Sequence, residues 1–276
     1  MQRVLSTHLF ANHRLTSVWL EKILNAGFEG VEIFCARQHL DYRDAAQVNE
    51  LAHWFRDANL KLWSLHAPMY TDKIWGRSGP HTVVNITEVT KARRITMVDE
   101  VKRAIEVADQ IPFRYLILHL GVAGEQFDEQ KLEAALSSLE ELKVFAGQRG
   151  VSILLENTPN GFSSAKRLEF FQTMTHLNLG YCFDVGHAHM GEGIAPEFEL
   201  MKERIRSTHI HDNDGMSDAH FFPLHRKGNV DWPTSMRVLG SRTEQYPLIL
   251  ELREDPGVER PIEEAKRILD ELTRLI

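Results

Sequence analysis

Six apolar runs in the 276-residue chain each close on a residue able to bind a metal ion or move a proton. LWSLHAP carries His66, LILHLG carries His119, SILLENT carries Glu156, and GYCFDVGHAH carries Asp184, His187 and His189. STHIHDND then carries His209 and His211, and LILELRE carries Glu251, with Arg253 two residues beyond it. Asp218-Ala-His220 lies between the last two runs. Carboxylates and neutral imidazoles together suit a divalent cation: carboxylate-rich sites tolerate Mn, Mg or Co, while imidazole favours Zn. Three carboxylates crowded together without a cation would raise one another's pKa by repulsion and desolvation. A metal removes that conflict, and no ordinary core needs three acids and several His at matching positions. We therefore expect a divalent metal site, with one ion as the basic case and up to three if the outer His and Asp residues are ligands too.

An apolar run closed by polar residues reads as a buried strand whose chemistry sits at its C-terminal end. RVLSTHLF at 3–10 reads as the first strand, and a helix over 16–26 has Gly27 just past its end. EGVEIF follows as a strand, and a helix over 45–58 places Val48, Leu51, Ala52 and Phe55 on one face before KLWSLH. The connection from Ala67 to about Thr90 is far longer than a routine loop and should help roof a site. Helices near 90–109, 128–148, 164–175, 196–204, 232–239 and 261–275 then alternate with RYLILH, VSILLE, LGYCFD, IRSTHIH and PLILEL. Eight strands alternating with eight helices, with no linker or low-complexity tract, predict an α/β fold: a (β/α)8 TIM barrel forming a single domain over 1–276. No Gly-rich phosphate loop follows Phe10, as an open nucleotide-binding sheet would want. In a barrel the C-terminal strand ends form the active face, so the residues closing strands three to eight should converge there.

Composition agrees with an enzyme-sized globular chain of 43% hydrophobic and 26% charged residues. No apolar run approaches membrane-spanning length, and the segment after Met1-Gln2-Arg3 is too short for a signal peptide. Two cysteines, Cys35 and Cys182, suit a reducing cytoplasm and should be buried thiols. A net charge of -7 offers no global basic field, so we expect no nucleic-acid partner and no membrane; a homo-oligomer is compatible on base rates alone. His13, His39, His53, His81, His176 and His225 read as surface or packing residues, with His8 and His189 left open near strand ends. Glu32 inside EGVEIF reads as a structural hydrogen-bonding group, and Arg253 as either a substrate contact or a rim salt bridge.

From first strand to last helix the chain resembles the xylose isomerase-like barrel superfamily, which includes sugar isomerases, epimerases and the endonuclease IV family. The resemblance rests on His66, His119, Glu156, the Asp184-x-x-His187 pair, His209 in HIHD, Asp218-x-His220, GNVDW at 228–232 and Glu251. It implies that Glu156, Asp184, His209 and Glu251 form the main metal set. His211, two residues beyond His209, shares its side of the strand and could substitute for it. The family follows Asp-x-His closely with a Pro-Gly-x-Gly turn, whereas this chain has FFPLHRKG. His225 is therefore a rival to Asp218 and His220 for the same pocket.

The first functional expectation is a metal-dependent isomerase or epimerase acting on a small sugar, a ketose or polyol derivative. Glu156 would abstract the proton next to a metal-polarised carbonyl and Glu251 would return a proton to the other face or the neighbouring carbon, with a hydride shift between two metal-held carbons as the alternative. His66, His119 and His187 would position hydroxyls, and Trp63, Trp75 and Phe34 would supply apolar faces. The rival is an endonuclease IV-like multi-zinc phosphodiester hydrolase at abasic DNA, because all nine ligand-type positions of that family are filled here. The loop after His66 and the segment GHAHMGEG lack that family's wording, however. A polyol dehydratase, or a metal-binding barrel without catalysis, is the third reading.

Overall fold

The computed structural model describes residues 1–276. Its strands are β1 (Arg3–Ser6), β2 (Gly30–Phe34), β3 (Lys61–His66), β4 (Tyr115–His119), β5 (Ser152–Glu156), β6 (Gly180–Asp184), β7 (Ile205–His209) and β8 (Leu248–Leu250). Its helices are α1 (Ser17–Asn25), α2 (Ala45–Asp57), α3 (Lys91–Ile105), α4 (Glu129–Gly147), α5 (Ala165–Met174), α6 (Val185–Met190), α7 (Ile194–Met201), α8 (Trp232–Gly240) and α9 (Pro261–Thr273). The strands form one sheet in the order β7-β6-β5-β4-β3-β2-β1-β8. The bridge between Ile210 and Leu250 joins its two ends into a nearly closed TIM barrel.

Strand parity explains both the apolar runs and the polar residues that close them. Leu116 and Leu118 of β4, Ile153 and Leu155 of β5, and Tyr181 and Phe183 of β6 belong to the large core beneath the helices. The alternate residues Tyr115, Ile117, Leu154 and Cys182 form a separate cluster inside the barrel. Both strand faces are buried, so the runs read as continuously apolar. One step further along the inward face come His119, Glu156 and Asp184, and the register sets His119 beside Glu156 and Asp184 beside His209. The metal-type residues are thus the top layer of the barrel interior.

Most helix boundaries agree with the sequence expectation to within a few residues, and their ends carry the expected chemistry. The Asp44 carboxylate caps α2, Asp128 caps α4 and Asp231 caps α8, while Pro261 opens α9 where its missing N–H costs nothing. Four differences bear on the site. β1 ends at Ser6, whose side chain accepts from the His8 amide and starts a 3-10 turn over Thr7–Phe10. β7 ends at His209, two residues earlier than expected, and the predicted 196–204 helix begins at Ile194 and ends at Met201. A ninth helix, α6, follows β6 directly, because Asp184 Oδ1 accepts from the His187 amide at 2.6 Å and turns the chain into a helix.

The long connection after β3 is a two-stranded arm. Thr71 N donates to Thr82 O at 2.8 Å and Val84 N to Met69 O at 2.9 Å. Buried Glu125 anchors it to the β4–α4 loop, accepting from Thr87 Oγ1 at 2.8 Å, Val122 N at 2.9 Å and Asn85 Nδ2 at 3.0 Å. No helix is long and apolar enough to cross a membrane.

Candidate metal centre and its cleft

The strand ends bring ten of the eleven site residues expected from sequence into one mouth, in three groups joined through shared carboxylates. In the deepest, His209 Nδ1 lies 3.2 Å from Glu156 Oε1, 3.3 Å from Glu251 Oε2 and 3.8 Å from Asp184 Oδ2. Beside it, the second Glu156 oxygen lies 3.1 Å from His119 Nε2 and 3.5 Å from His66 Nε2. On the far side, Asp218 lies 3.1 Å from His220 Nε2, 3.4 Å from His187 Nε2 and 3.7 Å from His211 Nε2. Within each group the ligand atoms fall within 4.8 Å of one another. His211 therefore does not substitute for His209: it faces Asp184 Oδ1 at 3.2 Å and belongs to the group around Asp218.

The hydrogen bonds behind the imidazoles fix which nitrogen looks inward. Carbonyl oxygens only accept, so His66 Nδ1 donates to Ala67 O, His187 Nδ1 to Asn157 O and His220 Nδ1 to Glu251 O, each at 2.9 Å. His209 Nε2 donates to Glu32 Oε1 at 3.0 Å, and Glu32 is itself held by Ser64 Oγ at 2.7 Å. Each neutral ring then points a lone pair at carboxylate oxygens, acceptor against acceptor. Only a cation between them or a proton on each ring relieves this. Asp184 Oδ2 is buried with no hydrogen-bond partner, and buried His211 Nε2 faces only the carboxylates of Asp184 and Asp218, at 3.2 and 3.7 Å, which suits ligand atoms prepared for a cation. The donor set of three carboxylates and one imidazole fits Mn, Mg, Co or Zn. Cys182 also lies against His209 and Glu156, and without a cation burial pushes its thiol up far above neutrality, so it is protonated there.

The metal-free centre must hold its protons instead. Burial alone would lower the imidazoles, yet the facing carboxylates outweigh it, holding His187 and His209 well above the usual value and raising His220 from 6.5 to about 9. Burial likewise works against ionising Glu156, but the His209 and His119 charges hold it well below the carboxylate range. The imidazolium pairs stabilise the metal-free fold fully below the unfolded pKa of about 6.5, and this is lost as pH rises through the raised folded values. The depressed carboxylates contribute above about pH 4 and lose their effect in acid. We expect chelator-treated protein to lose thermal stability from pH 6.5 to 9 and divalent cation to restore it with proton release. Titration calorimetry in buffers of different ionisation enthalpy checks this; cation binding at pH 7 without proton release would contradict it.

Several positioning residues carry no sequence signal as strong as the ligands. Asn157 is buried behind the centre; its side chain accepts from Asp184 N at 2.7 Å and donates to Asp184 O at 3.0 Å, while its carbonyl holds His187. Asp212 gathers Asn213 N, Val230 N and Trp232 Nε1 at 2.9, 3.1 and 2.9 Å, which ties HIHD to GNVDW. A side chain at Gly228 would meet Asp212 Oδ1 at 2.1 Å. At Gly186 a Cβ would lie 2.0 Å from His211 Cε1. Gly186→Ala is expected to displace that ring, costing about 1–3 kcal/mol of stability by overpacking and weakening metal binding. Denaturant unfolding with metal titration checks both, and a variant equal to wild type in both would contradict it.

Two sequence expectations need correcting. His225 pairs with Glu264 at 2.5 Å, away from the centre, and so does not compete with Asp218 and His220. Trp63 packs on Tyr115 toward the opposite, N-terminal end of the barrel and gives no face to the cleft; Phe34 and Trp75 do reach the mouth, packing on His8, and Phe34 also on His66. Arg253 is exposed at the rim, where its charge acts on buried His8 and its backbone N–H donates to His220 O at 3.0 Å, outside the three metal-type groups. His8, left open by sequence, is buried at the mouth, bonded to Leu252 O at 3.0 Å and packed on His220; burial pushes its pKa well down, so it is neutral. His189 bonds Asn229 at 2.6 Å, outside the three groups.

The fold, the top-layer carboxylates and the Asp184-x-x-His187 turn agree with a family description, the xylose isomerase-like TIM barrel, that matches residues 20–273. The chain belongs to that family. Among its curated relatives is the uncharacterized protein MJ1311 of Methanocaldococcus jannaschii, 29% identical over 227 residues, 78% of this chain and 72% of that one. Shorter matches reach an inosose dehydratase of Mesomycoplasma hyopneumoniae, 26% identical over 170 residues, 54% of this chain and 56% of that one. A probable endonuclease 4 of Natronomonas pharaonis is 27% identical over 153 residues, 50% of this chain and 53% of that one. Among solved structures, a D-tagatose 3-epimerase-like protein superposes with a TM-score of 0.79 at 23% identity, covering 100% of this chain and 98% of its own. The IOLI protein with a bound zinc atom superposes with a TM-score of 0.73 at 18% identity, covering 99% and 96%. At these identities the superpositions establish the fold of this xylose isomerase-like barrel.

Proposed function

We propose that this protein is a divalent-metal-dependent isomerase or epimerase of a small sugar or polyol derivative, carried by one domain over 1–276 and working in the cytoplasm. The observation that carries the reading is His209 Nδ1 ringed by the carboxylates of Glu156, Asp184 and Glu251, with Asp184 Oδ2 buried and unpartnered. A divalent cation held by these four residues supplies Lewis acidity to a substrate carbonyl and its neighbouring hydroxyl, which acidifies the adjacent C–H. Glu156, which a bound cation would keep ionised, takes that proton. Glu251 returns a proton to the opposite face or to the neighbouring carbon. His66, His119 and His187 line the cavity and orient the substrate hydroxyls. A hydroxyl on the next carbon would turn the same abstraction into a dehydration, the chemistry named for the inosose dehydratase relative. The test is a panel of ketoses and inososes in deuterated buffer with each cation. The reading requires cation-dependent deuterium incorporation next to a carbonyl; no incorporation into any member would sink it.

A second reading, a multi-metal phosphodiester hydrolase, draws on the group of His187, His211, Asp218 and His220, and on the probable endonuclease 4 relative. It requires two or three zinc ions per chain and cleavage at abasic sites. Against it, no Lys or Arg lines the cavity, where a nucleic-acid backbone would be held.

A further inference from the structure

The cavity at the centre has two unlike walls. His66, His119, His187 and Asp218 line one side, and all four belong to the metal-type groups. The other side is built from Met69 and Val84 of the arm with Ile86, Val122, Pro159 and Met190. These six come from three loops and the end of α6, and five of them are left partly or fully open to solvent. The enclosed space is about 390 Å³, within the range of small-molecule sites. Apart from the four metal-type residues it is lined by no ionisable group except the Tyr70 phenol.

A bare polyol carries hydroxyls around its rim, and any edge laid against aliphatic side chains would leave those hydroxyls without partners. A phosphate ester would find no Lys or Arg on the walls. The wall is also held in place: the paired arm and the Glu125 anchor set Val84, Ile86 and Val122 before any ligand arrives. From this, and resting on the reaction proposed above, we infer that the substrate is an uncharged, carbonyl-bearing polyol derivative with an apolar substituent, such as an aglycone. The polyol end meets the centre and the substituent lies along Met69, Val84, Ile86 and Val122. The arm is then a specificity element as well as a roof.

The test compares metal-loaded wild type with a Met69→Ser, Val84→Ser double variant by titration calorimetry. The ligands are methyl and phenyl glycosides of glucose, galactose and mannose, together with the three hexose 6-phosphates. The expected result is at least one phenyl glycoside binding about tenfold or more tighter than its methyl partner. The phosphates should bind no better than the methyl glycosides, and the phenyl advantage should vanish in the double variant, with metal content and thermal midpoint as folding controls. Equal binding of methyl and phenyl glycosides, tighter binding of a phosphate, no binding by any glycoside, or an advantage that survives in the folded variant would each overturn the inference. The deuterium assay separates the two proposals. Exchange without phenyl preference leaves the reaction and removes this substrate class, whereas phenyl preference without exchange does the reverse.

Discussion

Replacing Glu156 by Gln is expected to reduce cation-dependent exchange of substrate C–H with solvent deuterium by about 1,000-fold or more, since positioned general bases contribute about 10²–10⁴. The amide is nearly isosteric but cannot take a proton. It also removes the one charge within 3.5 Å of His66, His119, His187 and His209 at once. Deuterium NMR on the exchanging substrate checks this, with circular dichroism to establish that the variant is folded. Glu251→Gln, assayed at cation concentrations high enough to offset the weakened site, should behave differently: if Glu156 abstracts the proton and Glu251 delivers a second one elsewhere, exchange at the first carbon persists while inverted or isomerised product disappears. Exchange that survives Glu156→Gln removes Glu156 as the base.

The second large effect belongs to Asp184→Asn. Asn is as good a helix cap as Asp, so the turn into α6 made by the bond to the His187 amide should survive. What is lost is the negative charge beside His209 and His211 and a ligand oxygen with no other partner. Removing groups that merely orient ligands weakens metal sites about 10–100-fold, so loss of a ligand should exceed about 100-fold. The rise in thermal midpoint on adding cation should accordingly be absent from the variant at concentrations that saturate wild type. An unchanged midpoint rise would show that the cation is held elsewhere.

The barrel was legible because its physics is repetitive. Both faces of each strand are buried, so each run is apolar until the chain emerges at the mouth, and there the polar residues stand out by contrast. His119, Glu156 and Asp184 could be placed from parity alone, since each follows an apolar residue of the same inward face. Less accessible were residues whose role is a contact distant in sequence. Glu32 holds His209 from 177 positions away, and a lone acid inside a strand does not announce its partner. Asn157 looks like an ordinary residue after a ligand until Asp184 and His187 are folded onto it. His225 drew attention because it falls in the lengthened FFPLHRKG segment. That segment takes positive φ at Leu224 and Arg226, and His225 ends beside Glu264 of α9. Trp63 stays out of the cleft for a simpler reason: it enters β3 three residues before His66, toward the other end of the barrel, and a strand rises about 3.3 Å per residue.

The central claim is that the carboxylate ring around His209 holds a divalent cation, and elemental analysis of chelator-free protein tests it most directly, on wild type and Asp184→Asn in parallel. The account predicts at least one Mn, Mg, Co or Zn per wild-type chain, with that ion missing from the variant. Wild type that carries no cation after incubation with each of the four, or a variant that retains the full content, would contradict it.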